Sequence, residues 1–217
     1  MRKTITIGIF LFFTASISFS QKLSFGALVG LDLSKIQVVD TKKYTEDRNI
    51  YSPLWSCNAN GYLSLKGKSF FGATIELGFI RKGGIRKNLS LRSEQIIFQP
   101  QTVSFYSNYI QVPIYADFYL LKKLTFSTGV DFDFLINSKV KSKLITFESS
   151  KEYDKIEISG NVKITFNLLK HVDIGLLYNH SITSSSYLNW VDDFYNLLGR
   201  SKQYNQYVQL MVRVRLK

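Results

Sequence analysis

The chain has 217 residues, 45% of them hydrophobic and 15% aromatic, with a mean hydropathy of −0.02 and a formal charge of +12. That length suits one domain, and a hydropathy near zero excludes a bundle of transmembrane helices. A lone cysteine, Cys57, excludes an internal disulfide, and with only His171 and His180 beside it a zinc site is excluded too.

The start reads as an export signal. Met1-Arg2-Lys3 is basic, Ile5 to Phe13 is apolar, and Ser18-Phe19-Ser20 puts small residues where a signal peptidase reads them. Residues 1–20 are therefore expected to be a signal peptide and 21–217 the single mature domain, with a charge of about +10 once Arg2 and Lys3 are gone. Export removes nucleic acid as a partner for this basic chain and leaves acidic lipid or an acidic envelope component.

A period-two pattern follows. Leu23, Phe25, Ala27, Val29, Leu31 and Leu33 alternate with smaller or polar residues that include Asp32 and Ser34. Seven more runs repeat it: Trp55–Lys66, Phe71–Phe79, Tyr109–Leu120, Leu124–Ile136, Ile156–Leu168, Val172–Asn179 and Tyr207–Leu216. Their lengths centre on the roughly 9–11 residues of a tilted membrane crossing, Val172–Asn179 being the shortest. Connections near Gly67-Lys68-Ser69, Leu121-Lys122-Lys123 and Leu169-Lys170-His171 are short. Those spanning about Lys35–Leu54, Lys82–Asn108, Lys139–Asp154 and Thr183–Tyr204 are long.

Short turns on one side and long loops on the other predict an all-β, eight-stranded antiparallel up-and-down transmembrane β-barrel in the bacterial outer membrane, both termini periplasmic. A soluble β-sandwich or lipocalin-like barrel is the competing fold, and it would bury the apolar face. Against it stand the charges on the polar face: Asp32, Glu76, Asp117, Asp131, Asp133, Glu157 and Asp173 with Lys66, Lys155, Lys163, Arg213 and Arg215. Both signs would share a narrow interior and pair there, while the apolar face meets lipid.

Four segments carry a family resemblance: Phe25-Gly26-Ala27-Leu28-Val29-Gly30-Leu31-Asp32-Leu33-Ser34, Gly78-Phe79-Ile80-Arg81-Lys82-Gly83-Gly84, Tyr109-Ile110-Gln111-Val112-Pro113-Ile114, and Gly175-Leu176-Leu177-Tyr178-Asn179-His180-Ser181-Ile182-Thr183. In these the chain resembles the PorT-like outer-membrane β-barrel proteins of Bacteroidetes, with Gln111 where that family usually has Glu. The resemblance implies an outer-membrane location and an accessory role in protein secretion across that membrane, with envelope or secretion proteins as partners.

Candidate chemistry is sparse. His180 and Ser181 are adjacent on one strand and so point to opposite faces, which works against a nucleophile–base pair in a lipid A-modifying enzyme. Asp131 and Asp133 point the same way and are expected to pair with Lys163, Arg213 or Arg215 rather than to bind a cation. Tyr51, Trp55, Phe105, Tyr106, Tyr109, Tyr187, Trp190 and Tyr207 are expected to form an interfacial girdle. Lys82, Arg86, Lys87, Arg92, Lys139, Lys141 and Lys143 fall in the long loops, where they are candidates to contact lipopolysaccharide. No cofactor or metal is expected. The favoured reading is a structural or interaction barrel; the alternatives are the lipid A-modifying enzyme and a narrow pore.

Overall fold

The computed structural model describes residues 22–39, 50–67, 70–89, 92–93, 96–97, 101–143, 146–148, 153–191 and 197–216. The expected signal peptide, residues 1–20, lies outside the described residues. Among those described, eight long strands form an antiparallel ring: β1 (Lys22–Val38), β2 (Leu54–Lys66), β3 (Phe71–Leu89), β4 (Gln101–Tyr119), β5 (Leu124–Lys141), β6 (Ile156–Leu169), β7 (Val172–Ser181) and β8 (Leu197–Arg215). Each pairs with the next in sequence, and β1 pairs with β8, with Leu28 opposite both Asn60 and Arg213. Closure satisfies the backbone edge that lipid could not.

The alternation of the sequence decides which face is which. On β1, Val29 and Leu31 are each 58% exposed, whereas Asp32 between Leu31 and Leu33 is 0% exposed. The same parity holds around the ring: Leu77, Ile114, Ile164, Leu176 and Leu210 face out, and Glu76, Gln111, Lys163, Asp173 and Gln209 face in. An apolar exterior around a charged interior is the arrangement of a barrel solvated by hydrocarbon, and the reverse of a lipocalin.

All eight runs read from the sequence are strands, but five continue well past their expected ends. β3 runs on to Leu89, β5 to Lys141 and β1 to Val38, while β4 starts at Gln101 and β8 at Leu197. A 19-residue strand tilted at about 40° rises roughly 50 Å along the barrel axis, twice the ~25 Å apolar band. The surplus lies at the long-connection end. There Thr146–Glu148 adds to β5 and Ser186–Val191 adds to β8. Arg92–Ser93 pairs with Ile96–Ile97. Hence much of what the composition marks as loop is paired strand.

Two inward glycines make room for the polar interior. A Cβ on Gly30 would sit 2.3 Å from Gln209 Nε2 and 2.5 Å from Asn58 Oδ1, and one on Gly78 would sit 2.1 Å from Asn60 Oδ1. Amide side chains from neighbouring strands cross Gly30, and at Gly78 the backbone of β2 adds to the crowding, with Ala59 O 2.2 Å from such a Cβ.

Candidate functional site

The lumen is built in layers, each carried by inward positions of several strands. Nearest the short turns, Asp173 on β7 meets Arg213 Nη2 at 2.7 Å and Arg215 Nη2 at 3.2 Å on β8. Above it, Asp117 accepts hydrogen bonds from the hydroxyls of Thr74 and Ser127. Next, Lys163 Nζ lies 2.8 Å from Glu76 Oε1, and Glu76 Oε2 accepts a 3.0 Å hydrogen bond from Asn60. Gln111 donates to Asn60 Oδ1 at 2.7 Å. A glutamate at 111, usual in the resembling family, would lack that donor.

Further along, Lys82 on β3 reaches across the barrel to Asp133 on β5 (2.6 Å) and Glu157 on β6 (2.9 Å), and all three side chains are fully buried. Glu157 also accepts from Ser181, from Asn205 at 2.7 Å and from Tyr109 at 3.4 Å. Tyrosine rings line these cations: Lys163 stands 3.5 Å from the Tyr115 centroid, Arg213 4.8 Å from Tyr62, and Lys82 about equally far from Tyr109 (5.5 Å) and Tyr207 (5.4 Å). The ring faces supply negative charge density where water is excluded. Beyond the Lys82 layer, Ser107 and Ser138 bond to each other, and Ile36, Val38 and Tyr51 close the interior with Ile50, Phe105 and Leu188 packed against them.

The ten lumen residues singled out in the sequence, Asp32, Glu76, Asp117, Asp131, Asp133, Glu157, Lys163, Asp173, Arg213 and Arg215, occupy inward positions. Their partners differ from expectation. Asp133 pairs with Lys82; Lys163 is taken by Glu76, and Arg213 and Arg215 by Asp173. Asp131 is fully buried with no hydrogen-bond partner among the described residues, and Asp32 lies opposite Gln209 in the β1–β8 ladder. Lys66 sits exposed at the rim over the Tyr119 ring, and Lys155 lies exposed just before β6.

Lys82 is the main correction. It is not a loop base open to lipopolysaccharide, because β3 continues past Phe79 and its parity turns Lys82 inward into the deepest ion-paired layer. The signal was present: from Thr74 through Glu76, Gly78 and Ile80 the period-two phase reaches Lys82, but Gly83-Gly84 read as the end of the strand. Arg86 also turns inward and is half-buried near the Tyr51 hydroxyl. Lys87, Lys141 and Lys143 are exposed, and Lys139 forms a 3.6 Å pair with Glu148. Arg92 has a described backbone but no described side chain.

The expected girdle divides. Trp55 and Tyr187 face outward, and Tyr106 receives Arg81 over its ring at 5.1 Å. Tyr51, Tyr109 and Tyr207 are buried lumen residues, and Phe105 packs edge-on against Tyr51. The side chain of Trp190 lies outside the described residues. His180 faces out and stacks on Tyr178, while Ser181 faces in to Glu157.

Among solved structures, the chain is similar to Ail, the attachment invasion locus protein of Yersinia pestis, in complex with the heparin analogue sucrose octasulfate. Identity is 12%, 90% of this chain and 99% of that one are covered, and the TM-score is 0.49. Neisserial surface protein A matches at 12% identity over 89% of this chain and 98% of its own, with a TM-score of 0.48. The Pseudomonas putida toluene transporter TodX matches at 14% identity over 94% and 60%, with a TM-score of 0.32. No curated protein matches the sequence. The family model described as outer membrane protein beta-barrel domain matches residues 18–187, and with the closed ring, the lipid-facing exterior and the charged interior in place, the chain belongs to that outer-membrane family.

Proposed function

We propose that this protein is a non-conducting structural or interaction barrel of the bacterial outer membrane, with the long-connection end as its working surface. One observation carries the reading: Lys82, Asp133 and Glu157, from three different strands, meet across the lumen with no solvent exposure. An eight-stranded interior holds side chains and little else. Here the middle is closed by a cation locked between two anions, with Tyr109 and Tyr207 beside it. That disfavours the pore reading. The enzyme reading is disfavoured by His180 and Ser181, which point to opposite sides of β7. Purified barrel reconstituted in planar bilayers should give no discrete conductance steps in molar KCl. Regular steps, abolished by enlarging Gly30 or Gly78, would replace this reading with a pore.

The strand extensions beyond the apolar band support the interaction side of the proposal. They carry exposed Lys87 and Lys141, with exposed Lys143 just past the end of β5, whose charges suit the phosphates and acidic sugars of lipopolysaccharide. Replacing all three with Ser should reduce lipopolysaccharide retained on purification; unchanged retention removes that contact. The PorT-like resemblance supplies the sharper form, an accessory role in secretion across the outer membrane. Crosslinking the tagged barrel in native outer membranes should then recover secretion components, and a deletion strain should lose secreted proteins; normal secretion in the deletion strain would dismiss this form.

A further inference from the structure

The mouth at the short-turn end is a different chemical environment from the paired layers above it. A cavity of about 440 Å³ opens there inside the ring. Six basic side chains line it, Lys22, Lys66, Lys122, Lys123, Arg213 and Arg215, against one acid, Asp173. Asp173 is already spent: Oδ2 lies 2.7 Å from Arg213, and Oδ1 takes Arg215 and Asn167. None of the four lysines forms an ion pair among the described residues. Lys22 and Lys66 are also directly opposite each other in the β1–β2 ladder, and like charges so placed repel. Past the lining, Thr74 bonds to the lining Ser64 and to Asp117, a second acid whose oxygens are taken by Thr74 and Ser127, and the Lys163–Glu76 pair lies beyond that layer. The Lys122-Lys123 turn is held over the rim by a 2.8 Å bond from Asn167 N to Lys123 O.

We propose that this vestibule binds a compact, multiply charged phosphate ligand. Four lysines without a carboxylate partner around a small concave mouth focus a positive field, and an anion entering it relieves the Lys22–Lys66 repulsion. Lysines act as point charges on phosphate and need no fixed fork geometry, which suits groups at the ends of strands and in a turn. The phosphates come either from a soluble molecule or from lipid headgroups at the same interface.

The test uses the full barrel in nanodiscs of phosphatidylcholine, titrated calorimetrically with inorganic pyrophosphate. Saturable binding should weaken steeply as salt is added and be roughly tenfold or more weaker in a Lys22→Ser/Lys66→Ser variant. That variant loses a repulsion, so it should fold with heat-modifiable mobility like the parent and resist urea at least as well. A Lys141→Ser/Lys143→Ser variant, changed at the far end, should bind like the parent. Nanodiscs containing phosphatidylglycerol separate the two sources. Competition that weakens pyrophosphate binding assigns the site to headgroup phosphate, and unchanged affinity assigns it to a soluble anion. Pyrophosphate affinity equal in the parent and the Lys22→Ser/Lys66→Ser variant, or no saturable binding in phosphatidylcholine, overturns the proposal.

Discussion

Replacing Lys82 with Met keeps the unbranched stem of the side chain and removes its charge from between two buried carboxylates. The parent contacts are 2.6 Å to Asp133 and 2.9 Å to Glu157. Stranding a buried charge by deleting one partner costs about 3–5 kcal/mol, or roughly two to four orders of magnitude in the folding equilibrium. The structure also says how the loss divides. Glu157 keeps hydrogen bonds from Ser181, Asn205 and Tyr109. Asp133 keeps much less, because its Oδ1 has no hydrogen-bond partner even in the parent. Neutralising Asp133 in the Lys82→Met background should therefore recover more stability than neutralising Glu157, whose donors are arranged for an anion. The assay is urea unfolding in lipid vesicles, followed by tryptophan fluorescence and heat-modifiable mobility, with Lys87→Met as an exposed control expected within about 0.5 kcal/mol of the parent. A Lys82→Met barrel as stable as the control, or a larger rescue by Glu157→Gln than by Asp133→Asn, would overturn this account of the layer.

Ile75 lies midway along the outward apolar run of β3 and is 44% exposed; Ile75→Arg should cost about 2–4 kcal/mol in the same vesicle assay, as expected for a cation held near the bilayer centre. Gly30→Val should drive its side chain into Gln209 and Asn58 and destabilise by about 1–3 kcal/mol, the usual cost of overpacking. Cys57 faces outward opposite Leu31, so a spin label there should meet dissolved oxygen more readily than a water-soluble nickel chelate. The opposite preference would mean that this face is wet.

The strands were legible in the residues, and their lengths were not, for one physical reason. Inside the apolar band the two faces of a strand meet different solvents, so Leu23 through Leu33 alternates visibly. Beyond the band the outward face carries residues such as Arg81 and Lys87 and the interior mixes Ile36, Val38 and Val103 with Lys82 and Ser107, and the segment Leu197 to Gln206 of β8 has no hydrophobic phase to read although it pairs with β1 or with Ser186–Val191. The same blindness hid Lys82 and Arg86 behind Gly83-Gly84. Facing was recoverable from parity alone: Tyr109 alternates with the outward Ile110, and Tyr207 with the outward Val208, which puts both rings in the lumen. Partners across the lumen were not recoverable. They depend on the stagger between strands that are not neighbours, which a single strand's pattern does not contain.

That stagger is itself recorded in the charges. Lipid outside the barrel is as apolar as the side chains it touches, so the exterior resists a sliding register only weakly. The interior resists it specifically. β3 and β6 are not adjacent, yet two bonds join them: Glu76 to Lys163 and Lys82 to Glu157. The charge order is inverted between the strands, with the acid nearer the short turns on β3 and the base nearer on β6. A slip of two residues keeps every side chain on its own face, since the pleat repeats every two residues, so hydrophobic patterning alone cannot forbid it. Such a slip would pull both bonds apart together and leave buried charges poorly compensated, at a cost of several kcal/mol. The Asp173–Arg213 pair lies between adjacent strands and can report only their local register. The long bonds from Lys82 and Lys163 therefore explain why a barrel of this width spends its interior on ions at all: they select one closure of the ring from several that the greasy face would accept.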